Sequence, residues 1–303
     1  MLKLIDIGIN LTSDSFDEDR GQVIASAEAA GVTRLIVTGT SVSNSLRAAE
    51  IANSYPGKVF CTAGVHPHYA AEFDQFTKNA LRDLLALPAA VAIGECGLDY
   101  FRNFSSPEKQ QSAFSAQLEL AQEIKKPVFL HQRDAFDAFL SMVREVRSGL
   151  SGGVAHCFTG GPDELKKLLA LDLYIGITGW LCDERRGENL REAVRKLPLD
   201  RMLLETDAPY LIPRDLPEKP RSRRNEPRFL LHILKRLAKG LDKIGGSEVE
   251  KFITTDGYKF LLPNNEWVAF RASGTEPVIR CYLETKTAIQ MKRLQTACRK
   301  LLM

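Results

Sequence analysis

Five residues capable of metal binding or acid–base chemistry close short apolar runs of this sequence. They are Glu95, His131, His156, Glu205 and Asp207. Each stands at or just beyond the end of a β-branched run of the kind that forms buried strands. If those strands are parallel neighbours, their carboxyl ends meet on one side and bring these distant residues together. The sequence therefore predicts an active site assembled from strand ends.

A divalent cation is the natural occupant of such a site. Carboxylates that are crowded together repel one another and raise one another's pKa. A cation removes this repulsion, and its ligands are ionised carboxylates and neutral imidazoles. We predict that Glu95, His131, His156 and Asp207 bind the metal, with Asp207 and Glu205 as the catalytic carboxylates. Such a metal can polarise a phosphoryl oxygen and generate hydroxide near neutral pH.

The alternative interpretation is that these histidines are hydrogen-bonded core residues. That explanation suits one histidine at a strand end. It suits this chain poorly, because four of its five histidines stand at or just after predicted strand ends. The remaining two of those four, His66 and His68, follow the third run and are candidates for substrate contact.

Basic residues near these strand ends could hold phosphate groups. Arg133 follows His131 by two positions, although it could equally be a surface residue. The long segment after the eighth run is rich in cations and amides, namely Arg214, Lys219, Arg221, Arg223, Arg224 and Asn225. The forked guanidinium group of arginine suits bidentate contacts to phosphate. The alternative is that these residues belong to a solvated loop that binds no phosphate.

The strand pattern predicts an α/β fold, a TIM (β/α)₈ barrel, over residues 1–240. Eight apolar runs alternate with amphipathic segments, and their near-continuous apolarity indicates strands buried on both faces. The runs cover residues 4–9, 34–38, 59–64, 91–95, 127–131, 153–156, 173–177 and 202–205. A doubly wound open sheet is the alternative, but no Gly-x-Gly-x-x-Gly follows the first run to favour it.

Composition narrows the classes of function. The net charge of the 303 residues is +3, and the positive excess lies in residues 241–303. A neutral body argues against a nonspecific clamp on duplex DNA, so a phosphate polymer must be held by a local patch or a metal. No apolar run reaches the ~18–20 residues of a membrane span. Six cysteines without a Cys-x-x-Cys pair, and no signal-like start, predict a reduced, cytoplasmic protein.

The pattern changes near residue 240, and residues 241–303 are predicted to form a small α+β domain. Strand-like runs at 258–262 and 267–271 flank Pro263, Asn264 and Asn265, which indicates a hairpin. A third strand at 278–284 and a terminal amphipathic helix follow. The exact junction within 240–260 is left open.

A loop in this C-terminal segment has the composition of an anion-binding turn. Ser273, Gly274 and Thr275 offer backbone amides, and Arg271 and Arg280 supply charge on either side. A simple turn is the alternative.

The first 240 residues resemble the TatD family of metal-dependent deoxyribonucleases. The matching stretches are residues 6–12, 63–68, 92–99, 156–160, 174–180, 205–210 and 223–227. The resemblance implies an amidohydrolase-type barrel and a Mg²⁺- or Mn²⁺-dependent exonuclease acting on 3′ ends of single-stranded DNA or RNA, with roles in DNA repair and breakdown. It also implies that His66 contacts the substrate phosphate and that Arg223 and Asn225 line the nucleotide groove.

One departure from the family pattern concerns the first strand. Many members carry His-x-His where this chain has Gly8 and Asn10, so the number of metals stays open. Imidazole ligands would also suit Zn²⁺. Another hydrolase on the same barrel, such as an amidohydrolase or phosphotriesterase-like enzyme, is the rival function.

Residues 256–284 resemble the C-terminal domain of phosphoglucomutases and phosphomannomutases, where the corresponding loop holds the phosphate of a phosphosugar. The other loops of such mutases are not found in the sequence, so mutase activity is not expected. A fusion or chimera is expected instead, and a noncatalytic phosphosugar-binding fusion is a further alternative.

Overall fold

A computed structural model describes residues 3–240, 243–244, 247–253, 258–272 and 279–302. Its main feature is a sheet of eight parallel strands joined in sequence order. The strands are β1 (Leu4–Ile9), β2 (Val32–Val37), β3 (Val59–Ala63), β4 (Ala90–Asp99), β5 (Val128–Arg133), β6 (Gly153–Ala155), β7 (Tyr174–Ile177) and β8 (Met202–Leu204). All eight predicted runs are strands, which confirms the TIM-barrel fold.

The barrel closes just beyond the ends of its first and last strands. The Asp207 N–H donates to the Gly8 carbonyl at 2.8 Å, and the Asn10 N–H donates to the Ala208 carbonyl at 2.8 Å. The seam therefore lies next to the predicted site residues Glu205 and Asp207, because Asp207 itself donates one of the two closing hydrogen bonds.

Eight helices surround the strands. They are α1 (Arg20–Ala29), α2 (Val42–Ser54), α3 (Gln75–Leu85), α4 (Pro107–Ile124), α5 (Phe136–Val146), α6 (Pro162–Ala170), α7 (Glu188–Lys196) and α8 (Leu230–Lys239). Ser106 caps α4 as its sequence predicts, with the Ser106 hydroxyl accepting from the Lys109 N–H. Phe114 and Phe139 stack between α4 and α5 at 5.7 Å. Their burial illustrates how each amphipathic helix seals the barrel.

The C-terminal segment builds a second small core. Short strands β9 (Lys243–Ile244) and β10 (Ser247–Glu248) precede an antiparallel sheet of β11 (Lys251–Ile253), β12 (Tyr258–Leu261), β13 (Trp267–Ala272) and β14 (Ile279–Glu284). Helix α9 (Ala288–Leu302) ends the chain's described part. The predicted hairpin, third strand and helix are confirmed, while β11 was not foreseen. Three residues are too short a run to predict a strand from the sequence.

Two hydrophobic clusters meet at α8. Leu237 belongs to the barrel core, whereas Ala238 packs with Phe260, Val268 and Leu294 of the C-terminal segment. Of the predicted anion loop, Ser273, Gly274 and Thr275 lie outside the described residues. The backbones of Arg271 and Arg280 pair with each other across β13 and β14.

Helices in the described ranges include none of the length and apolarity that crossing a bilayer requires.

Candidate metal centre

The carboxylate of Glu95 lies at the centre of three imidazoles on the carboxyl side of the barrel. Its Oε1 is 2.8 Å from His131 Nδ1, 3.3 Å from His156 Nε2 and 3.5 Å from His66 Nε2. Burial alone would raise the pKa of Glu95, but the surrounding imidazoles outweigh it and hold that pKa well below its usual range. Glu95 is therefore ionised and surrounded by nitrogen ligands.

His156 links this group to a second carboxylate. Its Nδ1 lies 2.8 Å from Glu205 Oε2, and Glu205 Oε1 accepts from the Cys157 N–H. Burial lowers the pKa of His156, but Glu205 and Glu95 overcome that effect and raise it well above the ordinary value. Glu205 is fully buried behind His156. It is therefore placed to orient the imidazole and not to touch a substrate.

Asp207 faces the same centre from the end of the eighth strand. The pKa of its carboxyl is raised to about 7. Desolvation is the main cause, the His156 imidazole opposes it, and the negative charges of Glu95 and Glu205 add to it. Its Oδ1 accepts from Asn10 Nδ2 at 3.0 Å. A carboxylate held so close to two others is relieved by a cation nearby.

His66 and His68 occupy the edge of the same cluster. Burial is the main cause that lowers the pKa of His66 to about 3, so its imidazole is neutral. Neutral imidazole is the form that binds a metal, and His66, Glu95 and His131 have ligand atoms within 4.8 Å of one another. His66, expected at the substrate phosphate, thus also lies among the candidate ligands.

Asp99 is a member of this cluster to which the sequence analysis gave no role. Its Oδ2 lies 2.9 Å from His68 Nε2 and 3.6 Å from His131 Nε2. Burial raises the pKa of Asp99, but the nearby His131 imidazole and the hydrogen bonds from the Arg102 N–H and His68 outweigh burial and hold that pKa below its usual range. The sequence did contain a signal for Asp99. It follows Glu95 by four residues, and side chains an even number of positions apart on one strand face the same side.

The donor set fits a divalent metal. His131 Nε2 is buried without a hydrogen-bond partner among the residues that the structure describes, and buried polar atoms are normally paired. His156, Cys157 and Asp207 also present ligand atoms within 4.8 Å of one another. Carboxylate oxygens and imidazole nitrogens together suit Mn²⁺ or Zn²⁺, and carboxylates with water suit Mg²⁺.

The residues expected to bind substrate are placed unequally. Arg133 ends β5 and is half-buried beside the centre, and Arg223 is exposed in the loop after β8. Asn225 is fully buried, and its amide donates to the carbonyls of Thr206 at 2.9 Å and Tyr210 at 2.6 Å. Asn225 therefore holds the loop together instead of lining an open groove.

Two arginines of that loop are already paired with carboxylates. Arg224 pairs with Asp19 at 2.7 Å and with Glu226 at 3.0 Å, and Arg214 pairs with Glu184 at 3.1 Å. Side chains bound in this way position the loop and are not free to receive phosphate. Among the cations that the sequence singled out in this loop, Lys219, Arg221 and Arg223 are exposed.

A separate Cys182, Asp215 and His232 cluster has ligand atoms within 4.8 Å of one another. Here the polar atoms are already paired, because His232 Nε2 lies 2.6 Å from Asp215 Oδ1 and Arg236 Nε lies 3.3 Å from Asp215 Oδ2. This cluster ties the loop after β8 to α8, away from the Glu95 centre.

Comparison with known proteins identifies the family of this barrel. The family model described as TatD related DNase matches residues 5–260. The chain belongs to the TatD-related DNase family. A Rahnella protein named 3′-5′ ssDNA/RNA exonuclease TatD is 52% identical over 235 residues, which cover 78% of this chain and 89% of the relative.

Solved structures of the TatD family share the fold. A TatD family hydrolase from Entamoeba histolytica is 30% identical with a TM-score of 0.71, covering 79% of this chain and 91% of the other. A TatD homologue from Escherichia coli is 26% identical with a TM-score of 0.72, again covering 79% and 91%. The predicted family and barrel are thereby confirmed.

The C-terminal segment matches a different family. Residues 221–301 match the model described as phosphoglucomutase/phosphomannomutase, C-terminal domain. The match overlaps the end of the TatD-related region, which supports a join between segments of two families.

Proposed function

We propose that this TatD-related protein is a metal-dependent exonuclease that hydrolyses phosphodiester bonds from the 3′ end of single-stranded DNA or RNA. The observation that carries the proposal is the meeting of Glu95 with His66, His131 and His156 at the carboxyl side of the barrel. Relatives more than 50% identical are named 3′-5′ ssDNA/RNA exonuclease TatD, which supports the proposed reaction and substrate.

Glu95, His131, His156 and Asp207 are the proposed metal ligands, and Mg²⁺ or Mn²⁺ is the proposed metal, with Zn²⁺ as the alternative. When bound, such a cation supplies a Lewis acid for the phosphoryl oxygen and lowers the pKa of water. His66 is available as a further ligand from the same cluster. Gly8 and Asn10 bring no imidazole to the first strand, which favours one metal over two.

Asp207 is the proposed proton acceptor. In the metal-free site desolvation is the main cause that raises the pKa of its carboxyl to about 7, and a cation bound beside it would keep the carboxylate ionised and able to accept a proton. Asn10 fixes one of its oxygens, which leaves the other to take a proton from the attacking water. Glu205, expected to be catalytic, is proposed instead to position His156.

The substrate end of the site is proposed to involve His68, Arg133 and Arg223, with His66 near the phosphate. His68 is held by Asp99 at 2.9 Å, so its ring is fixed in the cluster. Exposed Tyr69 and Tyr210 follow β3 and the end of the eighth strand on this same side. Aromatic rings suit unpaired bases and support a single-stranded substrate.

We also propose that residues 1–240 and 241–303 are separate units, the second being a fused phosphate-loop domain. The two hydrophobic clusters that meet at Leu237 and Ala238 support this division. Phosphate or phosphosugar binding by the loop at Arg271, Ser273 and Arg280 stays a prediction. The six cysteines are free, which suits the proposed cytoplasmic location, and a part in DNA repair is proposed on the family resemblance.

The deciding experiment uses single-stranded oligonucleotides labelled at either end. Wild-type protein with Mg²⁺ or Mn²⁺ is expected to release mononucleotides from the 3′ end, and chelation or Glu95→Gln to abolish release. Glu50→Gln, on the exposed surface of α2, is the matched control and retains activity. Full activity of Glu95→Gln would refute the assignment, and hydrolysis of esters or amides alone would favour the rival hydrolase.

A further inference from the structure

Aromatic rings and guanidinium groups alternate along the loops beside the Glu95 centre. The guanidinium of Arg102 lies 5.7 Å from the Phe101 ring centre, and that of Arg133 lies 4.6 Å from the same ring. Arg133 also reaches the Trp180 ring at 6.0 Å, and Arg186 covers Trp180 at 4.2 Å. These five side chains are called the aromatic–arginine row below.

Three barrel strands hold this row in place. Phe101 follows β4, which carries Glu95 and Asp99; Arg133 ends β5, two residues beyond His131; and Trp180 follows β7. The row therefore runs along the carboxyl side of the barrel, starting directly beside two of the proposed metal ligands. A polymer whose end lies at the centre could extend along it.

Within the row, Arg186 pairs with Asp183 at 3.0 Å and Trp180 packs against the barrel core, but packing and ion pairing do not explain Phe101, Arg102 and Arg133. Phe101 is 56% exposed and its neighbour Phe104 is 67% exposed, although exposed aromatic surface is unfavourable in water. Among the side chains that the structure describes, Arg133 meets no carboxylate, and the buried indole Nε1 of Trp180 has no hydrogen-bond partner. Such groups commonly serve a ligand.

We propose that the aromatic–arginine row binds the unpaired bases and phosphates of the strand that trails from the site. The proposal rests on the nuclease function above and adds a subsite for nucleotides next to the one being removed. Bases stack on Phe101 and Trp180, and the guanidinium groups of Arg102 and Arg133 meet the intervening phosphates.

Single-stranded nucleic acid is the occupant that this chemistry favours. Every base has a flat face that stacks on an aromatic ring, and each link of the polymer carries one phosphate for a guanidinium. Bases within a duplex are stacked on one another and cannot reach the rings. The row thus provides a physical reason for preference of single strands, independent of base sequence.

The test measures binding without hydrolysis. Trp267→Phe leaves Trp180 as the remaining tryptophan of the two in the chain, and this background is titrated in EDTA with oligo-dT and oligo-U. Base stacking should quench Trp180 fluorescence. Phe101→Ala is expected to weaken binding about 5- to 100-fold, while Phe76→Ala, an 83% exposed phenylalanine on α3, binds like the parent.

Oligonucleotides with one abasic residue separate stacking from charge. An abasic residue at the nucleotide that contacts Phe101 should weaken binding by the parent and leave Phe101→Ala unchanged. Arg133→Lys keeps the charge but loses the planar group, and is expected to raise KM more than it lowers kcat. Unchanged binding by Phe101→Ala, or equal losses on intact and abasic strands, would overturn the proposal.

The two proposals fail in different ways. If wild-type protein hydrolyses single strands and Phe101→Ala binds and cleaves normally, the subsite is wrong and the nuclease function stands. If the row binds single strands with the abasic dependence described and no nucleotide is released with any metal, the nuclease function is wrong and the binding site stands.

Discussion

His156 Nδ1 lies 2.8 Å from Glu205 Oε2, and this contact orients the imidazole toward Glu95. The buried Glu205 carboxylate occupies space that two glycines leave open. A Cβ added at Gly8 or at Gly176 would overlap one of the Glu205 oxygens. The glycine on the first strand thus has a steric role, because it makes room for the residue that holds His156.

Replacing Gly8 by alanine should disturb His156 through Glu205, which contacts both positions. The new methyl group overlaps Glu205 Oε2, and overpacking a core commonly costs about 1–3 kcal/mol. We expect a lower melting temperature together with weaker metal binding, measured by calorimetry. Gly21→Ala is the control, since its Cβ would meet its nearest neighbour, Tyr55, at an ordinary 3.5 Å. Equal behaviour of both variants would contradict this account.

Glu205→Gln tests whether that residue positions His156 or takes part in chemistry. The amide keeps the size of the side chain but removes the charge facing His156 Nδ1. Loss of such an outer partner typically lowers metal affinity about 10- to 100-fold. We therefore expect activity to recover at high metal concentration. A defect in kcat that persists at saturating metal would instead indicate a direct catalytic role.

Asp6 should make the stability of the metal-free protein depend on pH. Burial is the main cause that raises the pKa of its carboxyl to about 7, against the lowering effect of hydrogen bonds from Thr206. The folded state therefore binds this proton more tightly than the unfolded state does. Its stabilising contribution is present below the unfolded pKa near 4 and is lost as pH rises toward 7.

Asp6→Asn cannot develop that charge. Comparing the two proteins by urea unfolding in EDTA between pH 4 and pH 8, we expect the variant to gain stability relative to wild type as pH rises. Parallel curves would show that Asp6 does not titrate in this range.

Leu294 should stabilise the C-terminal unit without serving the nuclease site. It is fully buried in the cluster with Phe260 and Val268, and leucine-to-alanine changes in cores cost about 2–5 kcal/mol. We expect Leu294→Ala to increase amide hydrogen exchange in 247–302 while hydrolysis of single strands stays normal. Ile289→Ala, 69% exposed on the same helix, is the control. Loss of hydrolysis in Leu294→Ala would show that the units are interdependent.

The barrel strands could be predicted because each is buried on both faces and therefore reads as a nearly continuous apolar run. The same reasoning predicted Glu95, His131, His156 and Asp207 as metal ligands, since polar residues that interrupt such runs at their ends stand out. β4 extends to Asp99, four residues beyond the predicted end. That extension includes polar and glycine residues, so apolarity could not indicate it.

Sequence alone determined the barrel, the family and the residues capable of binding a metal, because strand burial and residue chemistry can be inferred from short stretches of the chain. Only the tertiary structure decided that Glu205 lies behind His156, that Asn225 closes a loop, and that Phe101, Arg133 and Trp180 form one row. Those facts depend on contacts between residues 15 to 49 positions apart in the numbering. Barrel closure sets such distances, and no local pattern records them.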